Sequence, residues 1–330
     1  MGKHTIIFKN SPKIIATATI IGPKESEGIL GKYVDMPLSD DMYGESTFEK
    51  AECKMLSYAI EHAIENSKKR KSDIDAILSG DLLNQIISAN YAARDFKIPF
   101  IGLYGACSTM GEAFAISACL IDSGYMHNVV AATGSHFSSA ERQYRYPLEL
   151  GSTRPPQSQW TVTGAGGAVI SNEGTGPKIV SATFGKVVDY GITDANNMGA
   201  AMAPAAMDTI WTHFKETGYD ENYYDLILTG DLGKFGSKAL VDLLWEKGYD
   251  ISAKHEDCGN IIYSVENNEY QGGSGAGCSA TVFNSYIYDK LTNGNLQKIL
   301  FVPTGALLST VSTQQGESIP CVAHAVGIER

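Results

Sequence analysis

Positive charge is scarce in this chain: 26 Lys and Arg stand against 37 Asp and Glu, a formal net charge of −11 at pH 7. That balance excludes nucleic acid as the main partner, because phosphate backbones are held by a basic footprint. It also works against adsorption to an anionic membrane surface. An anionic small ligand would need local donors, such as arginine side chains or the free N–H groups at a helix start. Long apolar runs are lacking as well. No stretch of about 18 apolar residues is present to span a bilayer, and the opening MGKHTIIFKNSPK has no apolar signal-peptide core. Cysteine is sparse and scattered: the six, at 53, 107, 119, 258, 278 and 321, include no C-x-x-C pair. Neither a zinc site nor a disulfide framework is indicated, so reduced thiols in a cytosolic protein are expected, with no metal or cofactor.

Glycine is plentiful, 34 of 330 residues; that is roughly 10% against a usual ~7%, a sign of tight turns and close backbone approaches. Internal repetition is the strongest pattern. Pro12-Lys-Ile-Ile-Ala-Thr-Ala and Pro177-Lys-Ile-Val-Ser-Ala-Thr open two similar strands. Each leads on to a helix-period segment. The first begins at the capping box Ser46-x-x-Glu49 and runs to Ala63; the second begins near Pro204 and stops at Gly218. Matching apolar strands follow, Asp75-Ala-Ile-Leu-Ser-Gly-Asp81-Leu82 and Asp225-Leu-Ile-Leu-Thr-Gly-Asp231-Leu232. Further on, Gly105-Ala-Cys107-Ser108 answers Gly275-Ala-Gly-Cys278-Ser279, and 27 positions separate both Cys107 from Gly134 and Cys278 from Gly305.

Strands and helices alternating in this way predict an α/β fold of two like halves, 1–172 and 173–330, with their sheets paired around shared helices. Segments 31–45, 137–163 and 186–203 have no counterpart in the repeat. They are expected as insertions capping a site at strand C-termini, where loops carry function in such sheets.

Cys107 follows an apolar run and opens a helix signalled by Ser108, Thr109 and the capping box Thr109-x-x-Glu112. Unpaired N–H groups and the positive dipole end favour a thiolate there, which suits a nucleophile; a small buried cysteine is the alternative. A nucleophile needs a base. His136, closing the strand after the Cys107 helix, and His324, in the last strand, are the two histidines placed to approach, although no motif anchors either. Asp81 and Asp231 end the two matched strands and would meet at one pocket, as caps, ligand groups or both. The run Gly272-Gly-Ser-Gly-Ala-Gly277 is expected to present N–H donors to an anion, without being a phosphate loop. Arg142, Arg145 and Arg154 could clamp a carboxylate or pack at a surface.

On these residues the chain resembles the thiolase fold of thiolases and condensing enzymes. Gly105-Ala-Cys107-Ser-Thr matches the nucleophile elbow, Gly272-Gly-Ser-Gly-Ala-Gly-Cys278 the C-terminal Gly-rich loop, and Cys321 the second thiolase cysteine. The resemblance implies paired mixed sheets around shared helices in αβαβα layers, and a homodimer. Thr229-Gly230-Asp231 stands where those enzymes carry Asn-Glu-Ala-Phe or His-Gln-Ala-Asn, and Gly277-Cys278-Ser279 where thiolases carry Gly-His-Pro. Loss of such partners costs most of a catalytic rate, typically ~10⁴-fold or more. The expectation is therefore a non-enzyme, with a thioester-using enzyme built on Cys107 and His136 or His324 as the alternative.

A nearer resemblance, from about Ile21 onward, is to the stage V sporulation protein AD family of endospore formers. It rests on Ser79-Gly-Asp-Leu-Leu-Asn84-Gln, residues 100–108, Ala140-Glu-Arg-Gln-Tyr-Arg-Tyr-Pro147, Gly191-Ile-Thr-Asp194, Met202-Ala-Pro-Ala-Ala206 and Ser318-Ile-Pro-Cys321. It implies a dipicolinic-acid-binding protein, with Ca²⁺ entering together with the ligand, at the cytoplasmic face of the forespore inner membrane. Membrane proteins of the same sporulation complex would hold it there; a purely structural subunit is a third reading. Asp81, Cys107, Ser108, His136, Asp231, Gly273, Ser274, Gly275, Cys278 and His324 are the expected ligand-site residues.

Overall fold

Ten strands carry the architecture, and the alternation along each decides what it faces. In the computed structural model, which describes residues 2–144, 153–263 and 271–330, they are β1 (Lys13–Ile21), β2 (Ala76–Gly80), β3 (Phe100–Gly102), β4 (Asn128–Ser135), β5 (Gly164–Ser171), β6 (Lys178–Phe184), β7 (Leu226–Thr229), β8 (His255–Asp257), β9 (Lys298–Val302) and β10 (Cys321–Glu329). They run in the order β3-β2-β4-β5-β1-β6-β10-β9-β7-β8. From either end the pairings read parallel, parallel, antiparallel, antiparallel. At the centre, Lys13 of β1 pairs antiparallel with Lys178 of β6. The repeated Pro-Lys-Ile segments meet at this seam. Ile14 N–H donates to the Pro177 carbonyl at 2.8 Å, and Ile179 N–H to the Pro12 carbonyl at 2.7 Å.

The helices that matter are α1 (Phe48–Asn66), α2 (Ile87–Phe96), α3 (Thr109–Asp122), α4 (Phe137–Tyr144), α5 (Met198–Thr217), α6 (Gly233–Glu246) and α7 (Ala276–Val282). A π-turn over Phe283–Ile287 continues α7 into Tyr288–Thr292. Successive strand residues point to opposite faces, and the cores divide accordingly. Leu78, Val129, Leu228, Phe301 and Val326 pack with Phe114 of α3 and Phe283 of the π-turn in one central core. Ile77, Val130 and Val169 face α1 and α2 instead, while Ile227, Leu300 and Ala325 face α5 and α6. The layers are helix, sheet, helix, sheet, helix, as the resemblance implied.

Helix starts differ from their sequence signals. Thr47, one residue after Ser46, caps α1, its side chain accepting from Lys50 N–H at 3.3 Å. Helix α5 begins at Met198 under an Asn197 cap and carries Pro204 inside. Pro204 is the seventh residue of the helix, past the first turn, so it both removes the bond to the Ala200 carbonyl and crowds that oxygen, a cost the buried packing of this segment offsets. The stop at Gly218 is as expected, with φ +76°.

Candidate functional site

The turn after β3 brings the chain to Cys107. Residues Ala106–Ser108 form one 3₁₀ turn ahead of α3, with Ala106 at φ +51°, a left-handed conformation uncommon outside glycine. Side chains fasten this elbow. Ser108 Oγ donates to the Gly105 carbonyl at 2.7 Å, and Thr109 Oγ1 to the Ala106 carbonyl at 2.6 Å. The Glu112 carboxylate accepts from Gly105 N–H, so it closes the turn four residues earlier than the Thr109 box predicted.

A cavity of about 260 Å³ opens at the elbow. Its polar lining comes from Asp81, Asn84, Gln85, Cys107, Glu141, Tyr144, Thr161 and Ser274, and its apolar lining includes Met198, Leu307 and Leu308. Among the described residues that lining holds no histidine, lysine or arginine. The expected insertions contribute in part: α4 and Thr161 from 137–163, and Met198 from 186–203. Segment 31–45 does not reach the wall.

Of the two matched aspartates, Asp81 lines the cavity and Asp231 lies off its wall, behind the elbow. Asp81 accepts from Leu83 N–H and Ala89 N–H, each at 2.7 Å, so it also caps its own loop. Burial pushes its carboxyl up to about 6 despite those donors. Asp231 lies fully buried beside the elbow. It accepts from Gly275 N–H at 3.1 Å, Ser274 Oγ at 3.3 Å, Thr304 Oγ1 at 2.9 Å and the Cys107 thiol. Burial raises it to about 6 as well, with the neighbouring Asp257 adding to the rise.

Several expected site residues lie elsewhere. His136 is turned away from the cavity: its Nε2–H donates to the Asp41 carbonyl at 2.8 Å and its Nδ1 accepts from Ser138 N–H at 3.1 Å. His324 packs on Phe184, its Nδ1 accepting from Gly185 N–H at 3.3 Å, and burial holds it down to about 4. Ser108 and Cys278 are buried off the wall; the Cys278 thiol donates to the Gly230 carbonyl at 3.4 Å. Gly273 is in a short strand beside Trp160. The glycine run does not offer the expected donors at its centre, because Gly275 N–H is spent on Asp231 and Gly277 N–H on Ser135 Oγ at 3.0 Å. Arg142 pairs with Glu49, and Arg154 with the cavity's Glu141 at 3.0 Å. Arg145 lies outside the described residues.

Other wall residues were not singled out from sequence. Glu141 and Tyr144 come from α4, and Glu52 stands behind Asp81 on α1. Glu52 had a readable signal: it lies between Phe48 and Leu56 at helical spacing, a charge on an apolar stripe.

Similarity to known proteins agrees with this geometry. The family model described as stage V sporulation protein AD (SpoVAD) matches residues 2–329. Stage V sporulation protein AD of Bacillus subtilis (strain 168) is 46% identical over 329 residues, covering 100% of this chain and 97% of the relative. Among solved structures, 3-oxoacyl-[acyl-carrier-protein] synthase III from Aquifex aeolicus VF5 superposes with a TM-score of 0.59 at 14% identity, covering 97% of this chain and 100% of that one. A variant of OleA from Xanthomonas campestris gives 0.63 at 13% identity, covering 98% and 99%. The fold is thus the thiolase-like one of condensing enzymes, and by whole-length match the chain belongs to the stage V sporulation protein AD family.

Proposed function

We propose that this sporulation protein is a non-catalytic receptor for dipicolinic acid, held in the elbow cavity and carried there with Ca²⁺. One observation supports the reading above the rest: a cavity of about 260 Å³ walled by carboxyl, amide and hydroxyl oxygens, with no histidine on its described lining. Such a wall is poorly equipped to activate a thiol. It suits a flat ring whose own two carboxylates chelate a cation. Ca²⁺ takes six to eight oxygen ligands, and the chelate leaves several positions open. Asp81, Asn84, Gln85 and Ser274 are the groups that would fill them. Among the described residues no group of three His, Cys, Asp or Glu side chains is placed to hold a metal ion by itself.

In this reading the protein serves the machinery that moves dipicolinate into the developing spore. Among the described residues no helix is long and apolar enough to cross a membrane. Attachment to the inner membrane of the forespore would then come through membrane proteins of the same complex. The open edge of β3, with Ile101 and Tyr104 exposed beside it, is where a second copy would pair.

Titration calorimetry with dipicolinate, with and without Ca²⁺, tests the binding. We expect saturable heat and a raised melting temperature, larger with Ca²⁺, with both reduced in Asp81→Asn. No heat and no thermal shift at millimolar ligand would sink the receptor reading. A stoichiometric acyl adduct on Cys107 after incubation with acetyl thioesters would overturn its non-catalytic part.

A further inference from the structure

The segment 153–163 at the cavity wall carries a buried ion pair to which the proposed function gives no role. The Arg154 side chain, 12% exposed, lies 3.0 Å from Oε2 of Glu141, whose own side chain is fully buried in the cavity lining. The guanidinium is gripped on its other sides as well. It donates to the Gln159 carbonyl and lies over the rings of Phe137 and Trp160, 5.6 and 5.2 Å from their centroids. Those two rings are stacked at 3.9 Å. Thr161 Oγ1 donates to the other Glu141 oxygen at 2.7 Å. From there the segment is tied to the second repeat. Trp160 and Thr161 pair with Gly273 and Ser274, and Gln159 Nε2 donates to the Asp231 and Gly273 carbonyls at 2.6 and 2.9 Å. Arg154 thus stands one side chain behind the wall, where α4, this segment and the second repeat converge. A buried carboxylate with no counter-charge would turn its field on any anion in the cavity, since the surrounding protein screens little. With a guanidinium at 3.0 Å, the carboxylate keeps its place in the lining while its charge is largely cancelled.

We propose that Arg154 is a positioning residue for ligand charge: it holds Glu141 in the wall, cancels its field there, and so lets an otherwise acidic cavity admit an anion. This role rests on the receptor reading of the cavity. It makes ligand charge, rather than ligand shape, the quantity that the pair controls. Removing the Arg154 charge weakens binding in proportion to the negative charge on the ligand. Removing the Glu141 charge strengthens it on the same scale.

Three ligands built on one ring but differing in charge test this by calorimetry at about pH 8, where free carboxyls are ionised. They are dipicolinate, a dianion; picolinate, a monoanion; and the neutral one-to-one Ca²⁺ chelate of dipicolinate. In Arg154→Met the Kd of dipicolinate should rise about tenfold, that of picolinate about threefold and that of the chelate hardly at all, because each added charge multiplies the same Coulomb energy. Glu141→Gln should shift the two anions in the opposite direction and again spare the chelate. The double variant removes both charges and leaves the clasp untied, yet it should return dipicolinate to near the wild-type Kd. A purely structural clasp predicts otherwise: all three ligands lose affinity alike, and the second substitution restores nothing. Either of those results overturns the charge role and leaves the receptor reading intact. If Arg154→Met fails to fold, Glu141→Gln carries the sign alone, and weaker or unchanged dipicolinate binding overturns the role. Wild-type protein that gives no heat with any of the three sinks the receptor reading, and this role with it.

Discussion

At Cys107 the polar neighbour of the thiol is the Asp231 carboxylate, and that pairing governs what the sulfur can do. A helix start favours thiolate, but an adjacent carboxylate favours the thiol that donates to it. With Asp231 titrating at about 6, the carboxylate form dominates at neutral pH and accepts from the Cys107 thiol. Asp231→Asn should speed alkylation of Cys107 by iodoacetamide at pH 7.5 by about tenfold, one pKa unit's worth. Intact mass measured over time, with Cys107→Ala as the blank, reads this. An unchanged rate would mean that Asp231 does not control the thiol. At this scale the sequence was informative where chemistry repeats: Asp81 and Asp231 stand at matched turns, and the structure sets Asp81 on the cavity wall with Cys107 and Asp231 behind it against the Cys107 thiol. It marked 137–163 as a cap over the site without singling out Glu141 and Tyr144, because their approach depends on how α4 folds back over the cavity, which no local spacing encodes.

Among the elements, the strand Thr304–Ala306 and the elbow are fitted to each other at backbone distance. A Cβ built on Gly305 would lie 2.1 Å from the Gly105 carbonyl oxygen, so only glycine permits the contact. Gly305→Ala must push the elbow and strand apart, an overpacking that costs about 1–3 kcal/mol. The urea midpoint should fall accordingly. A midpoint equal to wild type would show that the contact bears no stability. Gly275, at φ +105°, is a second position where backbone shape alone demands glycine. The 27-residue spacing from each cysteine to Gly134 and Gly305 was legible although its parts differ: α3 has 14 residues and β4 has 8, whereas α7 with its continuation runs Ala276–Thr292 and β9 has 5. Helix starts were less legible. Pro204 read as a first-turn proline, yet α5 extends six residues before it, because buried Met198, Ala201 and Met202 carry that turn into the core.

For the whole molecule, the buried acids set how stability changes with pH. Glu25 accepts from Thr163 N–H at 3.0 Å and from Tyr263 Oη–H at 2.8 Å, tying residues far apart in the chain. Burial outweighs those donors and raises its carboxyl to about 7 from 4.5. The folded state therefore holds a proton that the unfolded chain has released. That contribution is full below about pH 4.5 and is lost as pH rises through about 7. The buried histidines His213, His255 and His324, each lowered to about 4, act in the other direction, their contribution fading as pH falls below the usual 6.5. Glu25→Gln removes only the first effect. Its melting temperature relative to wild type should climb between pH 5 and 8, by the equivalent of up to about 3 kcal/mol. Scanning calorimetry at both pH values checks this, and a constant difference would contradict it.

At the central seam, Ile14 and Ile179 exchange bonds with Pro177 and Pro12 as two identical subunits do across a two-fold axis. A true homodimer must repeat on one side whatever it places on the other. A chain joined end to end is released from that rule. Its two elbows have diverged: Cys107 donates to an acid of the opposite repeat, whereas Cys278 donates to the carbonyl of Gly230 in its own. Asp81 caps a loop while its counterpart Asp231 grips the facing turn. Covalent linkage thus turns a symmetric scaffold into one with a left and a right, free to build a different surface on each side of the seam.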